Sequence, residues 1–334
     1  MRIEAYLNGI YPRSDLALEA GSKWLKGRET KKNFYQILEE ETIEIIELQK
    51  SLGFDYIVDG QLFWSDFLRP IASALGLHGE NSNADENPVT RQIYTNTFYR
   101  KPLISKRIAN FYGSIVDRKF IGIIPKGKRK VILPSPFALA YLSDGIHKND
   151  NGTIKKDSFV EILLDIAKAL NHEAKNLEKT CDVSFVQFNE PCMLYAEETM
   201  EIWDEIVDSL RIATQDLDIA CSLHLYNGDA SKFLLDLPDL PVDRIGIDAY
   251  ATNLVKFAGT EFDKFLEIGV INSKNSLVES TDALVKYAKQ IIEKIAPAGL
   301  ALVPNRPLEL VPEAIAKQKI KRLANAMKIF NLGD

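Results

Sequence analysis

The chain has 334 residues, 46% of them hydrophobic and 26% charged, the balance of a globular protein that buries a full core. Its net charge of -6 lacks the basic surplus of a nucleic-acid surface, and no run approaches the ~20 apolar residues that cross a bilayer. Three cysteines at no zinc-finger spacing exclude a disulfide framework, and charges within the first residues are unlike a secretory signal core; both point to the cytoplasm.

In chain order, eight short apolar runs have strand character: 2–7, 54–58, 130–135, 183–188, 219–225, 244–249, 265–271 and 300–304. Between them lie segments with apolar residues at helical spacing, among them 37–53, 159–178, 200–214 and 282–295. Strand and helix in alternation predict βαβ units and a parallel sheet. We expect one (β/α)8 TIM barrel, an α/β fold, as a single domain over residues 1–334. A doubly wound sheet would call for a Gly-rich phosphate turn, which is absent. Two embellishments are predicted: a β-hairpin in "FIGIIPKGKRKVIL", with the basic run at its tip, and a long loop over 76–100 that folds across the barrel mouth.

In such barrels the reacting groups sit at the C-terminal strand ends. Here those ends carry Asn8, Gln61, Ser135, Asn189-Glu190, His224 with Tyr226 and Asn227, Asp248, Asn272-Ser273 and Asn305-Arg306. Turns favour such residues anyway. A Glu, a His and an Asp on successive strands nevertheless mark Glu190, His224 and Asp248 as candidate catalytic residues. Gln61, Ser135, Asn189, Tyr226 and Asn272 are candidate substrate-binding residues. Phe63, Trp64, Tyr226 and Tyr250 could form a stacking surface for a flat ligand, and Asp66 and Arg69 are spaced to pair with each other on a helix.

"GIYPRS", "DGQLFWSDF", "LPSPFALA", "FVQFNEP", "SLHLYNGD", "IGIDAYAT", "GVINSKNSLVES" and "LVPNRPLEL", in this order, resemble the cobalamin-independent methionine synthase superfamily in a short, single-barrel form. The resemblance implies a methyltransferase of methionine biosynthesis: zinc activates the homocysteine thiolate for attack on the methyl group of a methylated folate or another donor. It also implies a zinc site of a His-x-Cys pair, a Glu and a later Cys. His224 matches the His and is the one metal ligand assigned. Tyr226 stands at the first Cys, Asp248 at the Glu, and "VPNRPL" has no Cys. Cys192 is a possible third ligand, whereas Cys221 falls on the opposite strand face from His224. Gln61 and Asn189 replace two family carboxylates, Ile10 a Ser and Asn272 a His, which removes charge from the amino-acid subsite. Two functions follow: methyl transfer to a thiol, or a non-catalytic partner that resembles the N-terminal half of two-barrel synthases and binds a methyl donor or a catalytic sister chain. The expected partners are a small-molecule substrate and, in the second case, that sister chain, with no nucleic acid and no membrane.

Overall fold

The computed structural model describes residues 1–91, 98–108, 118–149, 151–259 and 262–332. Seven parallel strands form one curled sheet: β1 (Ile3–Ala5), β2 (Lys130–Pro134), β3 (Phe185–Glu190), β4 (Ala220–Leu225), β5 (Arg244–Asp248), β6 (Phe265–Ile271) and β7 (Gly299–Pro304). Their spatial order is β1-β7-β6-β5-β4-β3-β2. The run 54–58 closes the gap between β1 and β2 with only one bridge, Ile57 to Arg129. Asp55 N donates to Ala5 O at 3.1 Å, Ile57 N to Lys128 O at 2.8 Å and Lys130 N to Ile57 O at 3.1 Å. The result is the eight-stave α/β barrel expected from the sequence.

The predicted helices occur as Lys31–Leu52, Lys156–Cys181, Trp203–Thr214 and Thr281–Ile295. Their apolar residues recur every three or four positions, as in Phe34, Leu38, Ile45 and Ile46, and this stripe packs on the outer face of the sheet. Thr30 and Ser280 cap two of the starts, each accepting from the amide three residues on, which satisfies a donor with no partner inside the helix. Among the described residues no helix is long and apolar enough to cross a membrane.

The segment 120–133 is not the predicted hairpin. Arg118–Ile121 is a short helix, and a turn at Gly127 (φ 79°) leads directly into β2, whose strand neighbour is parallel. Antiparallel pairing appears instead within 76–100, between Val89–Arg91 and Phe98–Arg100; residues 92–97 lie outside the described residues. This segment is anchored, because Asp66 Oδ2 accepts from Arg100 N at 3.1 Å and the buried Tyr99 donates to Leu142 O at 3.3 Å.

Candidate active site at the barrel mouth

Strand alternation sends every second side chain into the barrel. Tyr6, Phe185, Ala301 and Val303 form an interior cluster with Tyr56, Ala220 and Phe265. The same parity brings Glu4, Lys130, Gln187, Asn189, Ser222, His224, Arg244, Asp248 and Glu267 to the inside. Near the bottom, Arg244 Nη1 reaches Glu4 Oε2 at 2.5 Å and Tyr6 Oη at 3.2 Å, and Tyr6 donates to Glu267 Oε1 at 3.0 Å. Lys130 Nζ donates to Leu7 O at 3.0 Å and lies 3.9 Å from the Tyr6 ring centroid. Burial away from water pulls its amine down to about 7.

His224 occupies the next layer, fully buried. Its Nε2 is 2.8 Å from Asn8 Nδ2 and 3.2 Å from Asn305 O, and its Nδ1 is 3.6 Å from Glu267 Oε2. Asn8 Nδ2 also donates to Pro304 O at 2.5 Å, which fixes it as the amide nitrogen. Nε2 thus lies between a donor, the Asn8 amide, and an acceptor, the Asn305 carbonyl, while Nδ1 faces Glu267. Burial pushes the Glu267 carboxyl up, but the His224 imidazole 3.6 Å away and the Lys130 charge outweigh it and hold the group below its ordinary value. Gly246 makes room for this pair: a Cβ there would fall 1.9 Å from His224 Nδ1 and 3.0 Å from Glu267 Oε2.

Two residues further along their strands, Asp248 and Tyr226 form the layer nearer the rim. Asp248 Oδ1 accepts from Tyr250 N at 2.9 Å, while its Oδ2 is buried without a partner. Tyr226 is buried with its ring 6.1 Å from that of His224, and burial holds its phenol well above the usual range. Several more buried polar atoms of this interior lack partners, including Asn8 Oδ1, Gln187 Oε1, Ser222 Oγ and Glu267 Oε2. Such concentration in one interior is unusual, since buried polar groups are normally bonded.

The remaining candidates divide by position. Glu190 does not share this cup: alternation places it with Val186 and Phe188, which belong to the outer core. Its carboxylate accepts from the Ser135 hydroxyl, from Cys192 N at 2.6 Å and from Met193 N at 2.9 Å, so it clamps the loop after β3. Ser135 also caps the helix Pro136–Leu142. Asn189 does face inward, donating to Asn8 O at 3.1 Å and accepting from Gln187 at 2.6 Å. Gln61, at a φ of 52°, donates to Ile132 O at 3.1 Å. Asn272 is half-buried and closes a turn by accepting from Lys274 N at 2.9 Å. Asp66 and Arg69 pair at 2.9 Å. Trp64 is buried and Tyr250 exposed.

Sequence reasoning did not single out Glu267, Asn8 or Gly246 as one constellation. The available signal was an acid inside the apolar run "FLEIGVI", on the same face as Gly269, paired across a glycine with the histidine strand.

The donor set does not fit zinc. An imidazole whose other nitrogen faces a carboxylate is oriented as metal-ligating histidines are, but Nε2 of His224 is closed off by Asn8 Nδ2 at 2.8 Å and Asn305 O at 3.2 Å. Beside it stand a phenol and amides, and the two interior carboxylates, Glu267 and Asp248, are turned to Nδ1 of the ring and to Tyr250 N, so among the described residues no thiolate or second imidazole joins His224. Cys192 does not supply the missing thiolate, since burial holds its thiol well above the ordinary range and Tyr195 Oη donates to its sulfur at 3.3 Å. Among the described residues no three His, Cys, Asp or Glu side chains converge as a metal site. Cys221 meets Ile219 O at 3.5 Å, away from the interior.

Residues 7–328 match the family described as cobalamin-independent synthase, catalytic domain. The methionine synthase of Saccharolobus solfataricus strain P2 is 23% identical over 328 residues, covering 96% of this chain and 92% of that protein. That of Sulfolobus acidocaldarius is 22% identical over 316 residues, covering 93% and 87%. A B12-independent methionine synthase from Shewanella sp. W3-18-1, solved with selenomethionine, superposes with a TM-score of 0.71 at 16% identity over 92% of this chain and 91% of that one. A putative vitamin-B12 independent methionine synthase from Listeria monocytogenes gives 0.70 at 15% identity over 98% and 99%; these likenesses show the barrel fold. The chain belongs to the cobalamin-independent synthase catalytic-domain family.

Proposed function

We propose that the protein is a methyltransferase that moves a methyl group from a methylated folate or another donor to a thiol such as homocysteine. One observation carries this reading: in a chain of this family, Asp248 turns a partnerless buried oxygen into the barrel beside His224 and Tyr226. In the reaction the sulfur forms a bond to the methyl carbon, the bond from that carbon to the donor breaks with its electron pair on the donor, and the thiol proton must leave. Asp248 Oδ2 is the acceptor for that proton. Glu267 on one side of the His224 ring and Asn8 on the other orient the imidazole at the floor of the site. Glu190 and Ser135 hold the loop after β3, and Gln61, Asn189 and Tyr226 line the cup.

The test is methionine formation by the purified chain from homocysteine and 5-methyltetrahydrofolate. The expected outcome is turnover by the chain alone, unaffected by a zinc chelator, with Asp248→Asn lowering kcat by about 100-fold, the size of a lost proton acceptor. No turnover with any of several methyl donors, alone or mixed, would defeat the reading. A second reading, binding without chemistry, is favoured by the neutral amides Gln61 and Asn189, both engaged with barrel backbone. Methionine that appears only when a zinc-bearing sister chain is added would select it.

A further inference from the structure

Just past β7, Arg306 is a charged side chain only 5% exposed. A guanidinium has five N–H donors. Here one of them, on Nη1, makes a long contact of 3.4 Å with Asn227 Oδ1, and among the described residues no other side-chain partner is present. Tyr226, Glu309 and Asp248 are near enough to act on its charge, and among the described residues Arg306 forms no ion pair. The backbone around it is firmly placed: Ser273 Oγ lies 2.8 Å from Arg306 O and 2.6 Å from Asn305 Oδ1, which share its one proton, and Ser273 N donates to Asn305 Oδ1 at 2.9 Å. Arginine buried to this degree is normally held by a carboxylate or a set of carbonyls, because an incompletely bonded charge out of water costs several kcal/mol. Its placement at the C-terminal rim, with Asp248 close enough to act on its charge and Oδ2 of that residue without a partner, puts Arg306 at the site already described.

We infer that Arg306 anchors the substrate through a carboxylate, received bidentately by the guanidinium at the rim between β4 and β7. This rests on the methyl-transfer reading for the identity of the site, and it makes Arg306 a specificity-determining residue. The planar fork suits a carboxylate in a way that a lysine ammonium does not.

Calorimetric binding to the wild-type protein tests this with L-methionine, L-methioninol, which lacks the carboxylate, and 4-(methylthio)butanoate, which keeps it and lacks the ammonium. The expected result is millimolar or tighter binding of both carboxylates and about 10- to 100-fold weaker binding of the alcohol, the range of a buried charge-assisted pair. Arg306→Gln should erase that preference, and Arg306→Lys should restore only part of it, in variants whose thermal melting remains cooperative. Equal binding of methionine and methioninol by the wild type, or no binding of either carboxylate at millimolar concentration, would overturn the anchor whether or not the variants fold. Carboxylate-selective binding without methyl transfer would keep the anchor and sink the functional reading. Methyl transfer to thiols with no carboxylate preference would do the reverse.

Discussion

Histidine 224 could not occupy its place if the neighbouring strand carried any side chain at position 246. The missing Cβ is where the Nδ1 edge of the ring lies, 1.9 Å from an ideal Cβ. Gly246→Ala would drive the imidazole off Glu267 or bend β5, and overpacking of this kind costs about 3 kcal/mol. Urea denaturation should show that loss, and the His224 ring signals in NMR should move with it. A variant as stable as the parent, with unchanged His224 resonances, would mean that the ring has another resting place.

At the scale of elements, β3 and the helix that follows β2 are joined through one carboxylate. Ser135 Oγ accepts from Ala138 N at 2.9 Å as a helix cap and gives its own proton to Glu190. Burial pushes Glu190 up, and the Ser135 hydroxyl with the amides of Cys192 and Met193 pulls against that. Ser135→Ala removes the cap and one of the donors together. A lost cap and a lost hydrogen bond each cost about 1 kcal/mol, so the expected destabilisation is about 2 kcal/mol. The variant should also lose more stability than the parent when pH rises through the Glu190 titration, since the ionised carboxylate is left with fewer donors. Chemical denaturation across that range measures both effects. A loss no larger than that of the cap alone would show that Glu190 is held by its backbone donors.

For the whole molecule the decisive feature is a barrel interior that is charged as well as apolar. Glu4, Lys130, Arg244 and Glu267 sum to no net charge when all are ionised, yet Lys130 titrates near 7 against an ordinary 10.5. Between those values the unfolded chain holds more protons than the folded one, so stability gains from Lys130 as pH rises and is penalised in full below about 7. The slope approaches about 1.4 kcal/mol per pH unit for one proton. Lys130→Met should flatten the stability curve between about 7 and the ordinary lysine value of 10.5. Denaturant midpoints in that window, compared with the parent, give the answer; parallel curves would show that Lys130 stays charged in the fold.

The sequence alone determined the alternation of strand and helix, the barrel, and the polar ends of its strands. Those follow from local periodicity and turn chemistry, which are written in neighbouring residues. It also carried the family resemblance and the absence of the two thiolates, since residue identity needs no coordinates. Tertiary structure decided which polar ends meet. Glu190 and His224 are paired neighbours one register apart, with Asn189 opposite His224, yet the two-residue period of a strand sends Glu190 into the outer shell and His224 into the barrel. Glu267, the partner that faces His224, comes from two strands away across a glycine, and Arg306 acquires its character only from being buried with no ion pair to its acidic neighbours. Burial and pairing across the barrel are properties of distance between remote residues, which no local pattern encodes.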